Sequence, residues 1–352
     1  MRMLSNSARA QLPGTVPLFQ CWSSVSILLL CGTIVAQIPL APPSTGSGWQ
    51  LLRLDESPPP RANHSMAIDQ ATEKVVLFGG SGSNGLLDDT WLWDGRKWSP
   101  QTSEKHPSKR TNHSLASMES GVLLFGGSDH DVGNMRLLGD TWEYRGGAWA
   151  RRAPSRSPSP RNGHRMALDL KTSRVLLFGG KADSGKPLSD TWLWDGTNWS
   201  EVSAEDGPSA RAHMIIVTDT ARKRMVLYGG EGASTDTWEW DGVGWNRMRP
   251  RTSPKARIGC AAYDSMRRLV VAHFHRMDAS GEYCEMWGWD GVDWRLLGDF
   301  KDSSAPVLPC AEMASNLGTG GVFLFGGFRN GVGWFGKPDT IPSAETWLFS
   351  SK

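Results

Sequence analysis

Two recurring series of charged residues could carry chemistry in this chain. An arginine recurs with a period near 50 residues, as Arg61, Arg110, Arg161, Arg211 and Arg257. An acid, followed in most copies by Thr-Trp, recurs as Asp89, Asp140, Asp190, Asp236, Glu285 and Glu345. Guanidinium groups bind carboxylates through two parallel hydrogen bonds. The two series therefore predict either structural pairs that lock each repeat, or arginines that bind an anionic sugar or a carboxylate.

A second set of candidates contains the residue types that bind zinc. His273 and His275 lie two residues apart, and Cys260 and Cys284 lie on either side of them in the sequence. Two histidines and two cysteines could form a zinc site. We interpret the cluster as decay of the repeat and predict no metal and no cofactor, with zinc as the alternative. His64, His113 and His164, each three residues after an arginine, are predicted to be structural.

A third candidate is a long segment that contains aromatic residues. Trp334 and Phe335 lie among glycines between Phe328 and Ala344. Exposed aromatic side chains are common at partner-binding and sugar-stacking surfaces. The two residues are predicted either to contact a ligand or to fold back over the protein.

The elements that must position these residues are short β-strands. Apolar runs such as Val75 to Gly80 end in a glycine pair, and they are too short and too β-branched for helices. An Asp-Gly turn such as Asp94-Gly95 precedes a second tryptophan, here Trp98, and supplies a tight hairpin. We name the four strands of each repeat a (after the arginine), b (ending in Gly-Gly), c (Thr-Trp) and d (second Trp). Four short strands per repeat predict an all-β propeller.

The landmark order Arg-x-x-His, apolar-Gly-Gly, acid-Thr-Trp, turn, Trp resembles the kelch repeat, as found in the central domain of galactose oxidase and in bacterial secreted kelch proteins. The resemblance covers about residues 49–350 and implies a six-bladed propeller with four antiparallel strands per blade. It weakens in the fifth copy, where Ala272-His273-Phe274 stands where Phe-Gly-Gly is expected. In the sixth copy, Cys310 stands in place of the arginine.

The sixth copy ends at strand c, so its strand d must come from elsewhere. Residues 49–54, which begin Trp49-Gln50-Leu51, resemble a strand d without a repeat of its own. We expect them to pair beside residues 345–350 and to close the ring, which protects the sheet edges.

Residues 1–48 resemble a targeting segment followed by a linker. Residues 1–15 contain Arg2 and Arg9 but no acid, and Val16 to Ala36 is mostly apolar. This pattern predicts a signal peptide over residues 1–36, with an uncleaved membrane anchor as the alternative, and a linker over 37–48. The protein is expected outside the cytoplasm, either secreted or periplasmic.

The composition and the strand directions guide the functional prediction. A net charge of +2 gives no sequence-wide case for nucleic-acid binding. Strand direction places the longer b–c and d–a connections, together with the arginines and acids, on one face, hereafter the loop face. We expect a monomeric, non-catalytic propeller that binds a protein or a glycan there, with no membrane contact unless the N-terminal segment is uncleaved.

The kelch resemblance also implies other functions. A periplasmic sialic acid mutarotase is the leading alternative, because its reaction needs only a positioned acid and base. A copper radical oxidase of the galactose oxidase type is disfavoured, since it needs paired tyrosines and histidines and the chain has only 4 tyrosines. An intracellular adaptor is disfavoured by the signal-like N-terminus.

Overall fold

The structure is a computed structural model, and it describes residues 48–131, 134–202, 206–231, 235–279, 281–301, 306–318, 320–329 and 341–349. The predicted signal peptide, the linker before Gly48, Trp334 and Phe335 lie outside these residues. Every regular element in the described ranges is a β-strand. Among these residues there is no helix of the length and apolarity needed to cross a bilayer.

Six four-stranded antiparallel sheets form the blades of a β-propeller. The first strand, β1 (Trp49–Leu51), belongs to the last blade. Blade 1 contains β2 (Ser65–Asp69), β3 (Lys74–Gly82), β4 (Gly85–Trp93) and β5 (Trp98–Gln101). Blade 2 contains β6 (Ser114–Ser117), β7 (Val122–Phe125), β10 (Thr141–Arg145) and β11 (Ala148–Arg152), with a separate hairpin of β8 (Ser128–Asp131) and β9 (Asn134–Leu137).

The remaining blades repeat this order. Blade 3 contains β12 (Arg165–Asp169), β13 (Arg174–Phe178), β14 (Thr191–Trp194) and β15 (Trp199–Val202). Blade 4 contains β16 (Ile215–Asp219), β17 (Arg224–Tyr228), β18 (Thr237–Trp240) and β19 (Trp245–Met248). Blade 5 contains β20 (Gly259–Asp264), β21 (Leu269–Asp278), β22 (Gly281–Trp289) and β23 (Trp294–Phe300). Blade 6 contains β24 (Glu312–Ser315), β25 (Val322–Phe325) and β28 (Thr346–Phe349), with a small hairpin of β26 (Phe328–Arg329) and β27 (Ile341–Pro342).

The a strands form a closed inner ring. Each one contacts the a strands of both neighbouring blades, and β24 of blade 6 contacts β2 of blade 1. The predicted closure is confirmed over residues 49–51, where Trp49 pairs with Phe349 and Leu51 pairs with Trp347. The last blade therefore joins the two ends of the propeller sequence.

The glycine pair at the end of strand b, present in every blade except blade 5, permits close packing between neighbouring blades. Gly79 and Gly80 have φ values of 64° and 101°, which side chains rarely adopt. A Cβ atom at Gly80 would lie 2.8 Å from the Ala62 carbonyl oxygen, and one at Gly79 would lie 2.9 Å from the Arg110 carbonyl oxygen of blade 2. The pair therefore lets strand b approach strand a of its own blade and of the next blade.

Threonine and tryptophan join neighbouring blades further out. Trp149 of blade 2 packs edge-on against Phe78 of blade 1 and donates a hydrogen bond of 2.9 Å to Thr90 Oγ1. The same bond recurs at four other seams, from Trp98 to Thr346, Trp199 to Thr141, Trp245 to Thr191 and Trp294 to Thr237. The indole N–H groups of these five second tryptophans thus have acceptors, which explains why Thr-Trp and the second Trp recur together.

Candidate functional site

A cavity of about 900 Å³ opens at the loop face of the propeller. Its wall is made by the residues that precede the a strands and by the ends of the b strands. The lining includes the cations Arg165, Lys181, Lys255, Arg257 and Arg276. Glu312 is the one acidic side chain among the described lining residues. The charged side chains of the lining are therefore predominantly cationic.

Backbone hydrogen bonds hold the wall of this cavity. Asn63, Asn112, Gly163, His213 and Cys310 all have positive φ and occupy equivalent positions before their a strands. Four of these residues donate a backbone N–H to the carbonyl of the equivalent residue in the preceding blade. The distances are 3.1 Å for Asn63, 3.1 Å for Asn112, 2.9 Å for Gly163 and 2.7 Å for His213. These bonds link blades 6, 1, 2, 3 and 4 and fix the cavity wall.

Blade 5 departs from this arrangement because its connection is shorter. The Arg257 carbonyl accepts a bond from Gly230 N–H, as the Arg110 carbonyl does from Gly80 N–H, so Arg257 occupies the arginine position of the repeat. Ser65 pairs with Phe78 of strand b, and Cys260 pairs with His273 at the same position of blade 5. Arg61 precedes Ser65 by four residues, whereas Arg257 precedes Cys260 by three. The positive-φ residue of the other blades has no counterpart here.

Four of the five arginines in the predicted series are buried locks within their own blades. Arg161 is 1% exposed and binds Asp190 through Nη1 and Nη2, both at 2.7 Å. Its remaining N–H groups donate to the Gly179 and Ser159 carbonyls and to Ser159 Oγ. Equivalent pairs join Arg61 to Asp89, Arg110 to Asp140 and Arg211 to Asp236. We assign these four arginines a structural part and do not include them in the candidate site.

Each acid in these locks also accepts an indole hydrogen bond. Trp192 Nε1 donates to Asp190 at 2.7 Å, and the same bond occurs at the other acids of the series. Burial acts to raise the pKa of Asp190, but the hydrogen bonds and charge of Arg161 hold that pKa below its ordinary value. The acid-Thr-Trp motif is thus part of the lock.

Blades 5 and 6 provide their acids with arginines from a different element. Arg257 is exposed, and Glu285 instead has Arg276 of β21 3.6 Å away. Glu345 of blade 6 pairs with Arg329 of β26. The ring contacts place Cys310 at the Asn63 position and Leu308 at the arginine position. The prediction that Cys310 replaces the arginine is therefore wrong by two residues.

The histidines and cysteines proposed as zinc ligands are divided between strand pairs. Cys260 pairs with His273, and Cys284 pairs with His275. His273 occupies the phenylalanine position of strand b, which the sequence comparison assigns to Ala272, one residue earlier. Its ring packs edge-on against Trp49, with 6.0 Å between the ring centroids. Its Nε2 lies 3.0 Å from the Pro306 carbonyl. Within the described ranges, no three His, Cys, Asp or Glu side chains group as metal ligands.

The three histidines of the Arg-x-x-His motif are buried packing residues. His113 packs edge-on against Phe78 of blade 1, and its ring would meet a Cβ atom placed on Gly79. His164 and His64 make the same contacts with Phe125 and Phe325. Burial and the nearby Arg110 charge lower the pKa of His113 to about 3, so its ring is neutral. The motif thus pairs a neutral histidine with the glycine of the preceding blade.

The floor of the cavity contains a residue pair that sequence reasoning missed. Arg165 begins strand a of blade 3, and Glu312 begins strand a of blade 6. Arg165 Nη1 donates to Glu312 Oε1 at 3.1 Å and to Oε2 at 3.0 Å. Because blades 3 and 6 are three positions apart in a ring of six, the pair crosses the channel. Both residues also line a smaller cavity of about 160 Å³ on the other side of the pair.

A signal for this pair exists in the repeat alignment. The a-strand position that pairs with the aromatic residue of strand b, or with His273 in blade 5, holds Ser65, Ser114, Arg165, Ile215, Cys260 and Glu312. This position varies while its neighbours repeat. Opposite charges in copies three apart could have indicated a contact across a six-membered ring.

Part of the chain is similar in sequence to known proteins. No family model matches the chain. It is 32% identical over 145 residues to Adagio protein 3 of Arabidopsis thaliana, covering 39% of this chain and 23% of that protein. It is 33% identical over 156 residues to an F-box/kelch-repeat protein of the same plant, covering 39% and 32%.

A solved structure shares the architecture over more of the chain. The structure of YjhT matches with a TM-score of 0.64 at 16% identity, covering 85% of this chain and 97% of that one. The matched segments amount to about a quarter to a third of the curated relatives' length. The solved structure is therefore similar across the propeller, and the curated relatives across part of it.

Proposed function

Because the chain is a kelch-repeat β-propeller, we propose that it is a non-catalytic binding module that acts outside the cytoplasm and holds a glycan in the loop-face cavity. The location rests on the signal-like sequence of residues 1–36. The binding role rests on the cavity itself. Propellers host unrelated functions, so the site rather than the fold must carry the proposal.

The single observation that carries the proposal is the volume and form of the cavity. At about 900 Å³, it is in the size range of small-molecule sites. The Arg165–Glu312 pair narrows its floor, and the backbone bonds between blades hold its wall. A concave, preformed site suits one or a few sugar units better than the flat surface of a folded protein.

The cavity lining matches the chemistry of a sugar. Asn63, Thr111, Asn112 and Asn162 contribute amide and hydroxyl groups that can donate to and accept from sugar hydroxyls. Lys255, which is exposed at the wall, adds a positive charge. The site is therefore suited to a polyhydroxylated ligand that also carries an acid group.

A thermal-shift screen tests this function. The purified protein would be heated with neutral sugars, uronic acids, sialic acids and divalent metals, because a ligand that binds only the folded state raises the melting temperature. We expect a rise with at least one sugar acid. No rise with any sugar, together with capture of a protein on the loop face, would replace the glycan with a protein partner.

A carbohydrate-active enzyme of the mutarotase type is a second candidate, favoured by Glu312 beside Arg165. Burial raises the pKa of Glu312, while the charge of Arg165 opposes that rise. A carboxyl group with a raised pKa that faces a sugar-sized cavity can exchange protons with a ligand. An anomer-exchange assay that shows turnover in the wild-type protein and a loss in Glu312→Gln would favour the enzyme over the binding module.

A further inference from the structure

The Arg165–Glu312 pair differs in geometry from the four structural locks. In each lock, two guanidinium nitrogens bind two carboxylate oxygens, as for Arg161 and Asp190 at 2.7 Å. In the cross-channel pair, Nη1 alone contacts both oxygens of Glu312, while Nε donates to the Met214 carbonyl at 3.3 Å. Arg165 Nη2 makes no hydrogen bond with the residues that the structure describes. Glu312 therefore leaves part of the guanidinium unused.

The pair also differs from the locks in its exposure. The side chain of Arg165 is 22% exposed and that of Glu312 is 13% exposed, whereas the lock arginines are at most 1% exposed. Both members of the pair line the cavity. A ligand that enters the cavity can therefore reach the guanidinium of Arg165, whereas the guanidinium groups of the lock arginines are buried out of reach.

Two other cations of the wall have acidic partners beside the cavity. Lys181 pairs with Glu231, and Arg276 lies 3.6 Å from Glu285. Among the described residues, Arg165 is the cation whose acidic partner itself lines the cavity. The charge balance at the floor thus depends on one guanidinium and one carboxylate.

We propose that Arg165 is the residue that recognises the acid group of the ligand, and that Glu312 is a built-in competitor that sets the specificity of the site. This inference rests on the proposed binding of a glycan and adds that the glycan carries a carboxylate. The ligand carboxylate takes the two-nitrogen contact that Glu312 does not make, and such a contact is stronger and more directional. Glu312 is displaced from Nη1 when the ligand binds.

The displaced carboxylate has a place to go. Glu312 also lines the cavity of about 160 Å³ below the pair, which is large enough for water. Its carboxylate can therefore rotate toward water and accept hydrogen bonds from it. A ligand without an acid group cannot supply the negative charge that Glu312 provides to Arg165, so it leaves the Arg165–Glu312 pair intact. Such a ligand is expected to bind less tightly than one that carries a carboxylate.

The other titratable groups near Arg165 are uncharged and do not compete for it. His64, His113, His164 and His213 all have pKa values lowered mainly by burial. Burial raises the pKa of Cys310 to about 12 and also raises that of Cys260, so both are thiols. Near neutral pH none of these groups therefore competes with Glu312 or the ligand acid for Arg165.

Calorimetric titration of the full-length protein tests the inference. The probes are glucuronic acid and N-acetylneuraminic acid, each compared with its methyl ester. We expect the wild-type protein to prefer an acid to its ester, and Glu312→Gln to bind that acid about tenfold more tightly, because a like charge beside the ligand is removed. Glu201→Gln, which removes an exposed outer carboxylate, is the matched control and should change neither affinity.

A second pair of variants keeps the test independent of how well Glu312→Gln folds. Arg165→Gln should bind acid and ester equally. Arg165→Lys should lose most of the preference for the acid, because a lysine keeps the charge but not the planar fork. Unchanged or weaker acid binding in a folded Glu312→Gln would overturn the competitor role.

The proposed function and this inference fail in different ways. Equal binding of acid and ester by the wild-type protein contradicts the inference and keeps the glycan site. No binding of any sugar by the wild-type protein contradicts the proposed function and the inference together.

Discussion

Arg165 of blade 3 and Glu312 of blade 6 meet across the channel, with Arg165 Nη1 3.1 Å and 3.0 Å from the two carboxylate oxygens. The contact joins residues 147 positions apart in the chain. It separates a cavity of about 900 Å³ from one of about 160 Å³. The pair therefore marks a position at which blades 3 and 6 depart from the repeat and face each other across the channel.

The blade locks should matter more for stability than exposed ion pairs do. Asp190→Asn leaves the Arg161 guanidinium, 1% exposed, without its counter-charge. Breaking such a pair costs about 3–5 kcal/mol of unfolding free energy. Glu201→Gln, which removes an exposed pair with Arg156, should cost less than about 1 kcal/mol. Denaturant unfolding measures both, and equal losses would contradict the structural assignment of the arginines.

Closure of the ring should depend on Trp49. Its ring is 4% exposed and packs against Phe349 at 5.0 Å and His273 at 6.0 Å. Trp49→Ala should lower the unfolding free energy by about 3–5 kcal/mol, through lost packing at the seam that joins the chain ends. Arg53→Ala, at a neighbouring exposed position, is the control. An unchanged melting temperature for Trp49→Ala would contradict the closure.

Acid should destabilise the propeller through its buried histidines. Burial first, and the charge of Arg110 second, lower the pKa of His113 to about 3. Below its unfolded pKa near 6.5, the unfolded chain binds a proton that the folded chain does not, so stability falls as pH drops from about 6.5 toward 3. His113 alone should account for about 2 kcal/mol between pH 7 and pH 5.

A natural substitution within the repeat provides the variant for this test. His113 of blade 2 packs against Gly79 of blade 1, and at the equivalent position Met214 of blade 4 packs against Gly179 of blade 3. His113→Met should therefore fold and lose less stability than the wild type between pH 7 and pH 5. His106→Gln, at an exposed position, should follow the wild-type pH dependence. Parallel curves for wild type and His113→Met would refute the neutral buried histidine.

Binding of a sugar acid should strengthen as pH falls. Burial raises the pKa of Glu312 against the opposing effect of Arg165. As pH falls through that raised pKa, Glu312 takes a proton and stops competing for the guanidinium, while a stronger ligand acid stays ionised. Affinity measured from pH 7 downward should rise in the wild type and stay flat in Glu312→Gln. The same slope in both proteins would count against Glu312.

The fold could be predicted because each sequence motif recurs in several copies of the repeat. A single Asp-Thr-Trp means little, but six acids with tryptophans two residues later define the seams and locks between blades. The arginine–acid pairing followed from strand direction, and the closing strand followed from the missing strand d of the sixth copy and the strand-d-like residues 49–54. The alignment failed where a blade lost a residue, between Arg257 and Cys260, and where Cys310 was taken for an arginine position.

The candidate site could not be predicted in the same way. Arg165 and Glu312 occupy a position where the other copies have Ser65, Ser114, Ile215 and Cys260, so the repeat does not mark it. The contact exists only because blades 3 and 6 face each other across the closed ring. Four of the five arginines that the repeat does mark are buried in their own blades, where Asp89 and its equivalents bind them.

The central claim, that the loop-face cavity is a ligand site, is tested most directly by a matched pair of bulky substitutions. Ala182→Trp fills the mouth of the cavity, while Val243→Trp adds the same side chain to a turn on the opposite face, where Val243 is 83% exposed. Calorimetric titration with the sugar acid that gives the largest thermal shift should show at least about a tenfold loss of affinity for Ala182→Trp and none for Val243→Trp. Undiminished binding to Ala182→Trp, with the protein folded, would contradict the account.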